Sequence, residues 1–310
     1  MAGITDRPFR ELAERFGAGM VVSEMIASNA LGTGHRDMVR KLGKAGGLPH
    51  MVQLAGCEAE WMSLGAKIAC EAGADVIDIN FGCPAKRVTN GYAGSALMRV
   101  PDIAMQLIEA VVSASPLPVT VKMRLGWDDD SLNAPQIARR AVDAGVQLVT
   151  VHGRTRQQFY KGQARWELVR GVVDAVDVPV VVNGDITSVQ AARDALSRSG
   201  AAAVMIGRGA QGQPWIVGQV GAELEGMAPA PSPENSTLAD LIAAHYEGIL
   251  VEYGTEVGLR AARKHLNWYL EANGVELARE RRNAMLNHED PKVVLSMIGN
   301  VFAGEQKAAA

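Results

Sequence analysis

The residue with the clearest chemical potential in this sequence is Cys83, in the run Ile-Asn-Phe-Gly-Cys-Pro that covers 79–84. It follows the apolar run 76–79, which predicts a buried strand, so we expect the thiol at the end of that strand. Pro84 pushes Cys83 toward an extended backbone and removes one amide donor. Cysteine thiols ordinarily have a pKa of about 8.5, so they are mostly protonated at neutral pH. Such a thiol can donate a proton as readily as it can act as a nucleophile.

Basic side chains lie at the carboxyl ends of two other predicted strands. Lys122 ends the apolar run 119–121, and His152 opens the basic segment His-Gly-Arg-Thr-Arg over 152–156. In the mouth of a barrel, such groups can stabilise an anionic ring or a reduced cofactor. A strand-end lysine can equally be a solvated rim residue, and a lone histidine is usually structural. The residues alone leave both alternatives open.

A glycine-rich segment over 207–212 reads Gly-Arg-Gly-Ala-Gln-Gly and matches G-x-G-x-x-G. A dinucleotide-binding fingerprint would require a following strand with an acidic residue about 20 positions on, and no such strand is predicted. In a barrel, the loop after the last strand often binds phosphate at a short helix N-terminus. The segment Asn-Gly-Asp at 183–185, which follows the preceding predicted strand, would form the other side of such a phosphate site. We therefore predict a phosphate site here, with a plain tight turn as the alternative.

The elements that must position these residues are short apolar strands alternating with helices. Spacings of about 25–30 residues match one strand-helix unit. Polar or glycine-containing residues follow every predicted strand, and this pattern predicts an α/β fold of the TIM (β/α)8 barrel type. A doubly wound sheet would instead concentrate its functional residues near one switch point. We expect the first strand of the barrel to be truncated, because the given sequence begins where that strand would end. The predicted strands are 20–22, 51–54, 76–79, 119–121, 148–151, 178–182 and 203–206.

A proline-rich segment separates two predicted domains. Residues 227–233 read Met-Ala-Pro-Ala-Pro-Ser-Pro, which is typical of a stiff linker, and only helical patterns follow. We predict a barrel domain over 1–226, a linker over 227–235, a helical domain over 236–304 and a tail over 305–310. Helices are expected from 236 or 237 to about 253, and over 257–272, 276–287 and 291–302, besides one after Asp6 or Thr5.

The second helix of this domain has a basic face. Arg260, Arg263, Lys264 and Asn267 follow i, i+3, i+4 and i+7 spacing and so share one side of a helix. The ordinary interpretation is a solvated amphipathic face. The alternative is a surface that docks a phosphate backbone.

Composition excludes several classes of protein. The net charge of −3 gives no global argument for a nucleic-acid partner, although a local basic patch remains possible. Three widely spaced cysteines without a CxxC pair suit a reducing cytoplasm, and no metal signature is present. No apolar run approaches the roughly 20 residues that span a bilayer, and no signal peptide is predicted. We expect a cytoplasmic monomer without a metal.

Taken together, these elements resemble the tRNA-dihydrouridine synthases, flavin-dependent reductases of uridine in tRNA, and most closely the bacterial B-type subfamily. Phe81 stands where that family more often has methionine, and we expect this sequence to lack the family's first strand. The segments that carry the resemblance are 1–9, 53–56, 78–84, 121–124, 152–156, 183–186 and 207–210.

The resemblance implies an FMN-bearing barrel followed by a helical tRNA-binding domain, with NADPH as the reductant. Because the C5=C6 bond of uracil is conjugated to the C4 carbonyl, hydride should add at C6 and a proton at C5, and the resemblance implies that Cys83 gives this proton. The implied substrate contacts are Asn80 and Arg154 at the uracil, with Arg260, Arg263 and Lys264 at the tRNA. The implied FMN contacts are Met1, Ala2, Gln53, Lys122 and His152, with Asn183, Gly184, Asp185, Gly207 and Arg208 at its phosphate.

Two other functions stay open at this point. One is an FMN-dependent barrel that reduces a small molecule, as dihydroorotate or enoate reductases do, although the predicted helical domain argues against it. The other is a non-catalytic RNA-binding relative with a degenerate barrel.

Overall fold

The computed structural model of the protein describes residues 1–85, 88 and 93–303. The chain forms two compact units. The barrel unit comprises Met1–Ala2 and Gly19–Gly209, and the helical unit comprises Gly3–Ala18 and the chain from Ala210 onward. This division falls earlier than the predicted linker at 227–235, and it assigns the first helix to the helical unit. The predicted tail, 305–310, and residue 304 lie outside the described residues.

The barrel unit is built on one parallel sheet. Its strand order is β1-β3-β4-β5-β6-β7-β8, with β2 paired to β3, and in the described part of the chain no ladder joins β1 to β8. All seven predicted strands coincide with observed strands, and the predicted fold class is confirmed. The strands are β1 (Val21–Val22), β2 (Ile26–Ala27), β3 (His50–Ala55), β4 (Val76–Phe81), β5 (Val119–Arg124), β6 (Leu148–His152), β7 (Val180–Asn183) and β8 (Ala203–Met205).

The register of these strands aligns their polar residues in rows. Gln53 of β3 pairs with Asp78 of β4, and Asp78 pairs with Thr120 of β5. Two residues further along, Asn80 pairs with Lys122. Because side chains alternate between the faces of a strand, residues two apart share a face, so each row lies one layer above the last.

A third row lies at the carboxyl ends of the strands. Arg124 of β5 pairs with His152 of β6, which pairs with Asn183 of β7. The remaining positions of these strands are mostly Val, Ile and Leu with almost no exposed surface, as expected for strands covered on both faces. The sheet therefore collects polar groups on one face near one edge.

The helices of the barrel unit connect these strands. The helix Val189–Ser199 shows how the sequence sets their ends: Ser188 accepts the N–H of Ala191 at 3.0 Å, and Gly200 ends the helix at a left-handed φ of 69°. The helices are α2 (Ser28–Gly32), α3 (Arg36–Lys41), α4 (Ala59–Glu71), α5 (Pro101–Ala114), α6 (Ala134–Asp143), α7 (Arg170–Val173) and α8 (Val189–Ser199), with 3-10 turns at Gly94–Arg99, Trp166–Val169 and Arg208–Ala210.

The helical unit packs around its own apolar core, which includes Leu12, Trp215, Ile242 and Leu266. Leu12 belongs to the first helix, and this burial explains why that helix joins the helical unit. Asp6 caps that helix as predicted, accepting the N–H of Phe9 at 3.1 Å. No helix in the described ranges is both long and apolar enough to cross a membrane. The helices are α1 (Arg7–Arg15), α9 (Ile216–Leu224), α10 (Asn235–Tyr253), α11 (Thr255–Ala272), α12 (Arg279–Asn287) and α13 (Pro291–Phe302).

Candidate active site

A chain of hydrogen bonds crosses three strands of the barrel unit and starts at Asp78. Thr120 donates its hydroxyl to Asp78 Oδ1 at 2.6 Å, and Gln53 Nε2 donates to Asp78 Oδ2 at 2.7 Å. Asp78 is almost fully buried, and this burial raises the pKa of its carboxyl group while the two hydrogen bonds oppose the rise. Since both oxygens have partners, Asp78 acts as the fixed anchor of the network.

The same chain continues to the backbone of Cys83. Asn80 Nδ2 donates to Gln53 Oε1 at 2.7 Å, and Asn80 Oδ1 accepts the N–H of Cys83 at 2.9 Å. On the other side, Ser95 donates its hydroxyl to the carbonyl oxygen of Cys83 at 2.9 Å. Cys83 is half-buried and free of any disulfide. The thiol is therefore presented from a backbone that is held at both its amide and its carbonyl.

Three basic side chains stand in the rows beside this thiol. Burial lowers the pKa of Lys122 to about 8, with Arg124 adding to the fall and Asp78 and Cys83 opposing it. Burial and the charges of Lys122 and Arg124 also hold the pKa of His152 far below its usual range, so the ring is neutral. Its Nδ1 is buried and has no hydrogen-bond partner among the described residues. Lys122, Arg124 and His152 thus combine positive charge with an unsatisfied ring nitrogen. This combination suits a polar or anionic ring as ligand.

The segment 183–185 closes one side of the site. Gly184 has a φ of 112°, and a Cβ on it would lie 2.9 Å from His152 Nε2, so only glycine fits. Asn183 Nδ2 donates to the carbonyl oxygen of Met205 at 2.8 Å, which ties β7 to β8. Glycine here leaves the backbone open to close approach by a ligand.

Asp185 and Arg154 form a bidentate ion pair with N–O distances of 2.8 and 2.6 Å. The charge of Arg154 contributes to holding the pKa of the Asp185 carboxyl below its usual value, against the desolvation that raises it. Arg154 is buried and also donates to the carbonyl oxygens of Lys161 and Gly162. The structure thus uses most donors of Arg154 to fix its own loop, and its predicted contact with uracil stays a prediction.

The glycine-rich segment after β8 supplies a further cation. Arg208 is about half exposed, lies 3.8 Å from Asp185 and places its guanidinium 4.6 Å from the ring centre of Tyr160. A Cβ on Gly207 would lie 3.2 Å from Met1 Sδ, so Met1 lies beside this segment, and Ala2 belongs to the same unit. The residues predicted for the cofactor are therefore brought to the strand ends of one unit.

The predicted tRNA contacts of α11 belong to the helical unit. Arg260 is exposed and pairs with Glu256 at 3.1 Å, one turn earlier. Arg263 is exposed and Lys264 is half-buried. These three residues share a basic helix face, as their spacing predicts.

Sequence reasoning missed several residues of this site. Asp78 and Thr120 carry a signal that could have found them, because each is a polar residue two positions before a predicted site residue in an otherwise apolar strand. Arg124 stands in the same alternation, and its Nε donates to the carbonyl oxygen of Gly82 at 2.8 Å.

Tyr160 was also missed, and no pattern in the sequence points to it; the guanidinium of Arg124 lies 5.8 Å from its ring centre. Among the described residues, no three His, Cys, Asp or Glu side chains come together as metal ligands.

Solved structures with related folds include an amine oxidase and a reductase. The 6-hydroxypseudooxynicotine amine oxidase of Pseudomonas geniculata is 15% identical with a TM-score of 0.55, covering 79% of this chain and 49% of that one. Morphinone reductase is 14% identical with a TM-score of 0.50, covering 76% of this chain and 85% of that one. At these identities the likeness concerns the fold alone.

Sequence relatives are much closer in identity and cover 96% or more of this chain. A "Probable tRNA-dihydrouridine synthase" of Rhodobacter capsulatus is 54% identical over 100% of this chain and 94% of its own length. A protein of the same name from Rhizobium leguminosarum is 53% identical over 96% of this chain and 92% of its own. "tRNA-dihydrouridine synthase B" of Xanthomonas campestris is 43% identical over 97% of this chain and 91% of its own.

The family described as Dihydrouridine synthase (Dus) has a sequence model that matches residues 1–303. Together with relatives at these identities, this match confirms the resemblance to the family that the motifs indicated. It also confirms the resemblance to B-type members. The chain belongs to the dihydrouridine synthase family.

Proposed function

We propose that this protein reduces uridine in tRNA to 5,6-dihydrouridine, with bound FMN as the redox group and NADPH as the reductant. The observation that carries the proposal is Cys83, held at its amide by Asn80 and at its carbonyl by Ser95, at the end of β4 beside Lys122. Relatives that share 54% and 53% of its residues are named for this activity.

The residues at the strand ends fit a flavin. Lys122 offers a positive charge to the ring, Gln53 offers amide groups, and the buried Nδ1 of His152 lacks a partner among the described residues. Gly184 and Gly207 stand where a Cβ would crowd a neighbour, and Arg208 offers a half-exposed guanidinium to a phosphate. Asp185 would act through Arg154 and its backbone, because its own charge opposes a phosphate. Bound reduced FMN supplies the hydride that adds to C6 of uracil.

Cys83 supplies the other half of the reduction. Its thiol donates a proton to C5 as C6 gains the hydride, so the C5=C6 double bond becomes a single bond with one new hydrogen on each carbon. The thiolate that remains recovers a proton from solvent. Asn80 and Ser95 keep the sulfur in place by holding the Cys83 backbone, and general-acid catalysis of this kind contributes about 10²–10⁴-fold in rate.

We propose that Asn80 and Arg154 both orient the uracil, Asn80 by direct contact and Arg154 through the loop that it holds. Asn80 uses its Oδ1 for the backbone of Gly82 and Cys83 and one N–H for Gln53, so its second Nδ2 hydrogen is the group left for the base. For Arg154 we propose a positioning role, since its guanidinium is bound to Asp185 and to two carbonyl oxygens.

A base inside folded RNA must leave its stack to reach such a site. We propose that the barrel unit carries the flavin and the helical unit binds tRNA through Arg260, Arg263 and Lys264. We further propose that the protein acts as a monomer in the cytoplasm, where its tRNA substrate and a reducing environment for Cys83 are available.

Dihydrouridine mapping of cellular tRNA, with and without this gene, tests the proposal. We expect at least one uridine position to lose its reduction when the gene is removed and to regain it when the wild-type gene is restored. Reduction of free uridine or an enone by the purified protein, with none on tRNA, would assign it to small-molecule reduction instead. A colourless protein that still binds tRNA would point to a non-catalytic relative.

A further inference from the structure

Two arginines from different loops share one indole ring in the barrel unit. The guanidinium carbon of Arg99 lies 4.8 Å from the ring centre of Trp127, and that of Arg156 lies 4.7 Å from it. We call these three residues the Arg99–Trp127–Arg156 stack. Two like charges held against one aromatic ring form a local concentration of positive charge, and the ring orients their planar donors.

Neither arginine of the stack has a carboxylate within ion-pairing distance among the described residues. Other arginines of the same unit do have one: Arg140 pairs with Asp102 at 2.7 Å, and Arg198 pairs with Glu167 at 2.6 Å. In addition, the Nε of Arg156 is buried without a hydrogen-bond partner in the described structure. The stack therefore holds donors and charge that the described residues of the barrel unit do not neutralise.

Acidic residues follow Trp127 in the same loop, and two of them have other partners. Asp129 pairs with Arg165 at 2.6 Å, and Asp128 accepts the hydroxyl of Ser131 at 2.6 Å. Asp130 is exposed and forms no ion pair with the stack. The carboxylates of this loop thus leave the two guanidiniums available to an outside anion.

The stack lies on the same edge of the sheet as the candidate active site. Trp127 follows β5, Arg156 follows β6, and Arg99 ends the turn after the loop that carries Cys83. Backbone hydrogen bonds join these segments, with the N–H of Arg156 donating to Gly126 at 3.0 Å. The side-chain amide of Asn133, in the loop that also holds Trp127, donates to the carbonyl oxygen of Met98, the residue before Arg99, at 2.7 Å. The stack and the candidate active site therefore share one edge of the barrel unit.

We propose that the Arg99–Trp127–Arg156 stack binds backbone phosphates of the tRNA strand that carries the reduced uridine. The inference rests on the proposed function and adds a barrel-unit contact to the basic face of α11. Stacked arginines match phosphate because their planar donors make paired, charge-assisted hydrogen bonds. A phosphate contact of this kind positions the RNA without selecting its sequence.

Binding of an unmodified tRNA transcript to the full-length protein, measured over a range of salt concentrations, tests the inference. For Arg99→Gln we expect a dissociation constant about fivefold higher near 0.1 M salt, and a slope of log affinity against log salt that is smaller by about one. Arg99→Lys keeps the charge but loses the planar stack, so its slope should stay near wild type while its affinity falls. Arg156→Gln should repeat the effect of Arg99→Gln.

Arg198→Gln is the matched control, because Arg198 also lies over a tryptophan, 5.5 Å from the ring centre of Trp166, but is paired with Glu167. Its affinity and salt slope should equal those of wild type. Wild-type affinity and slope in Arg99→Gln would overturn the inference, and so would a raised KM for NADPH with unchanged tRNA binding. If the wild-type protein forms no dihydrouridine, the proposed function fails, and the binding curves still decide whether the stack holds RNA.

Discussion

His152 of the barrel unit and His245 and His265 of the helical unit are all buried, and burial lowers the pKa of each. Their surroundings differ. His152 stands among cations: after burial, the charges of Lys122, Arg124, Arg154 and Arg208 lower the pKa of its ring. His245 and His265 face each other at 4.9 Å between ring centres, in a setting of aromatic and aliphatic side chains.

The two regions also differ in the side chains that surround their histidines. His245 Nδ1 lies 3.0 Å from the hydroxyl of Tyr269, and the rings of both histidines pack near Phe9. At the strand ends, by contrast, a hydrogen-bonded network leads to a half-buried thiol, and positive charge collects where an anion would sit. Burial of a titratable group does not by itself mark a site; excess charge and reactive groups at an open strand edge do.

Replacing Cys83 by alanine gives the largest expected effect. Cys83→Ala should lower dihydrouridine formation by about 10²–10⁴-fold, because the proton donor to C5 is gone. The flavin absorbance and the thermal midpoint should remain near wild type, since the sulfur belongs to neither the core nor the network. Cys57→Ala, at an exposed cysteine, is the control. Full turnover by Cys83→Ala in tRNA assays would remove the sulfur from the mechanism.

Asn80→Ala should give the next largest effect. It removes the acceptor for the Cys83 amide and a donor to Gln53, so we expect kcat to fall by about a hundredfold with flavin still bound. Ser95→Ala is the graded comparison, because the N–H of Ser95 still donates to the carbonyl oxygen of Cys83 at 3.1 Å after the hydroxyl is lost. Equal losses in both variants would argue against a special role for Asn80.

Lys122 links the site to pH. Because the pKa of Lys122 is lowered to about 8, its positive charge is present below that pH and is lost as pH rises through it. Affinity of the flavin-free protein for FMN, followed by fluorescence quenching, should therefore weaken above pH 8. Lys122→Gln should bind FMN about tenfold more weakly at pH 7 and lose this pH dependence. A variant that keeps the wild-type pH profile would show that another group titrates.

The histidine pair of the helical unit should affect stability rather than chemistry. The folded pKa of His245 is lowered to about 3, and that of His265 is also lowered, so stability is full above about pH 6.5 and is lost as pH falls below it. Each histidine should contribute about 1.4 kcal/mol per pH unit to this loss.

Urea unfolding at pH 7, 6 and 5 measures the loss. His265→Phe should make the acid dependence shallower, whereas His288→Gln, at an exposed histidine, should leave it unchanged. An acid dependence in His265→Phe as steep as that of wild type would contradict the assignment to this pair.

Much of the fold follows from local patterns. The seven apolar runs become strands because a buried parallel strand needs little more than continuous Val and Ile, and the helix from Pro291 to Phe302 has the predicted bounds. Local patterns did not predict the division into units, because Leu12 of α1 packs into a core whose other buried members lie from Trp215 onward. No local pattern states which distant core will cover an amphipathic helix.

The order of the reactive and binding groups along the chain could be read from the residues alone: a thiol after β4, a lysine near the end of β5, a histidine at the end of β6 and glycines after β7 and β8. Which of these groups come into contact depends on the folded structure. Asp78 and Thr120 are 42 residues apart, and Arg154 and Asp185 are 31 apart, yet each pair is hydrogen bonded. Strand register and loop packing bring them together, and those depend on contacts across the whole sheet rather than on neighbours in the chain.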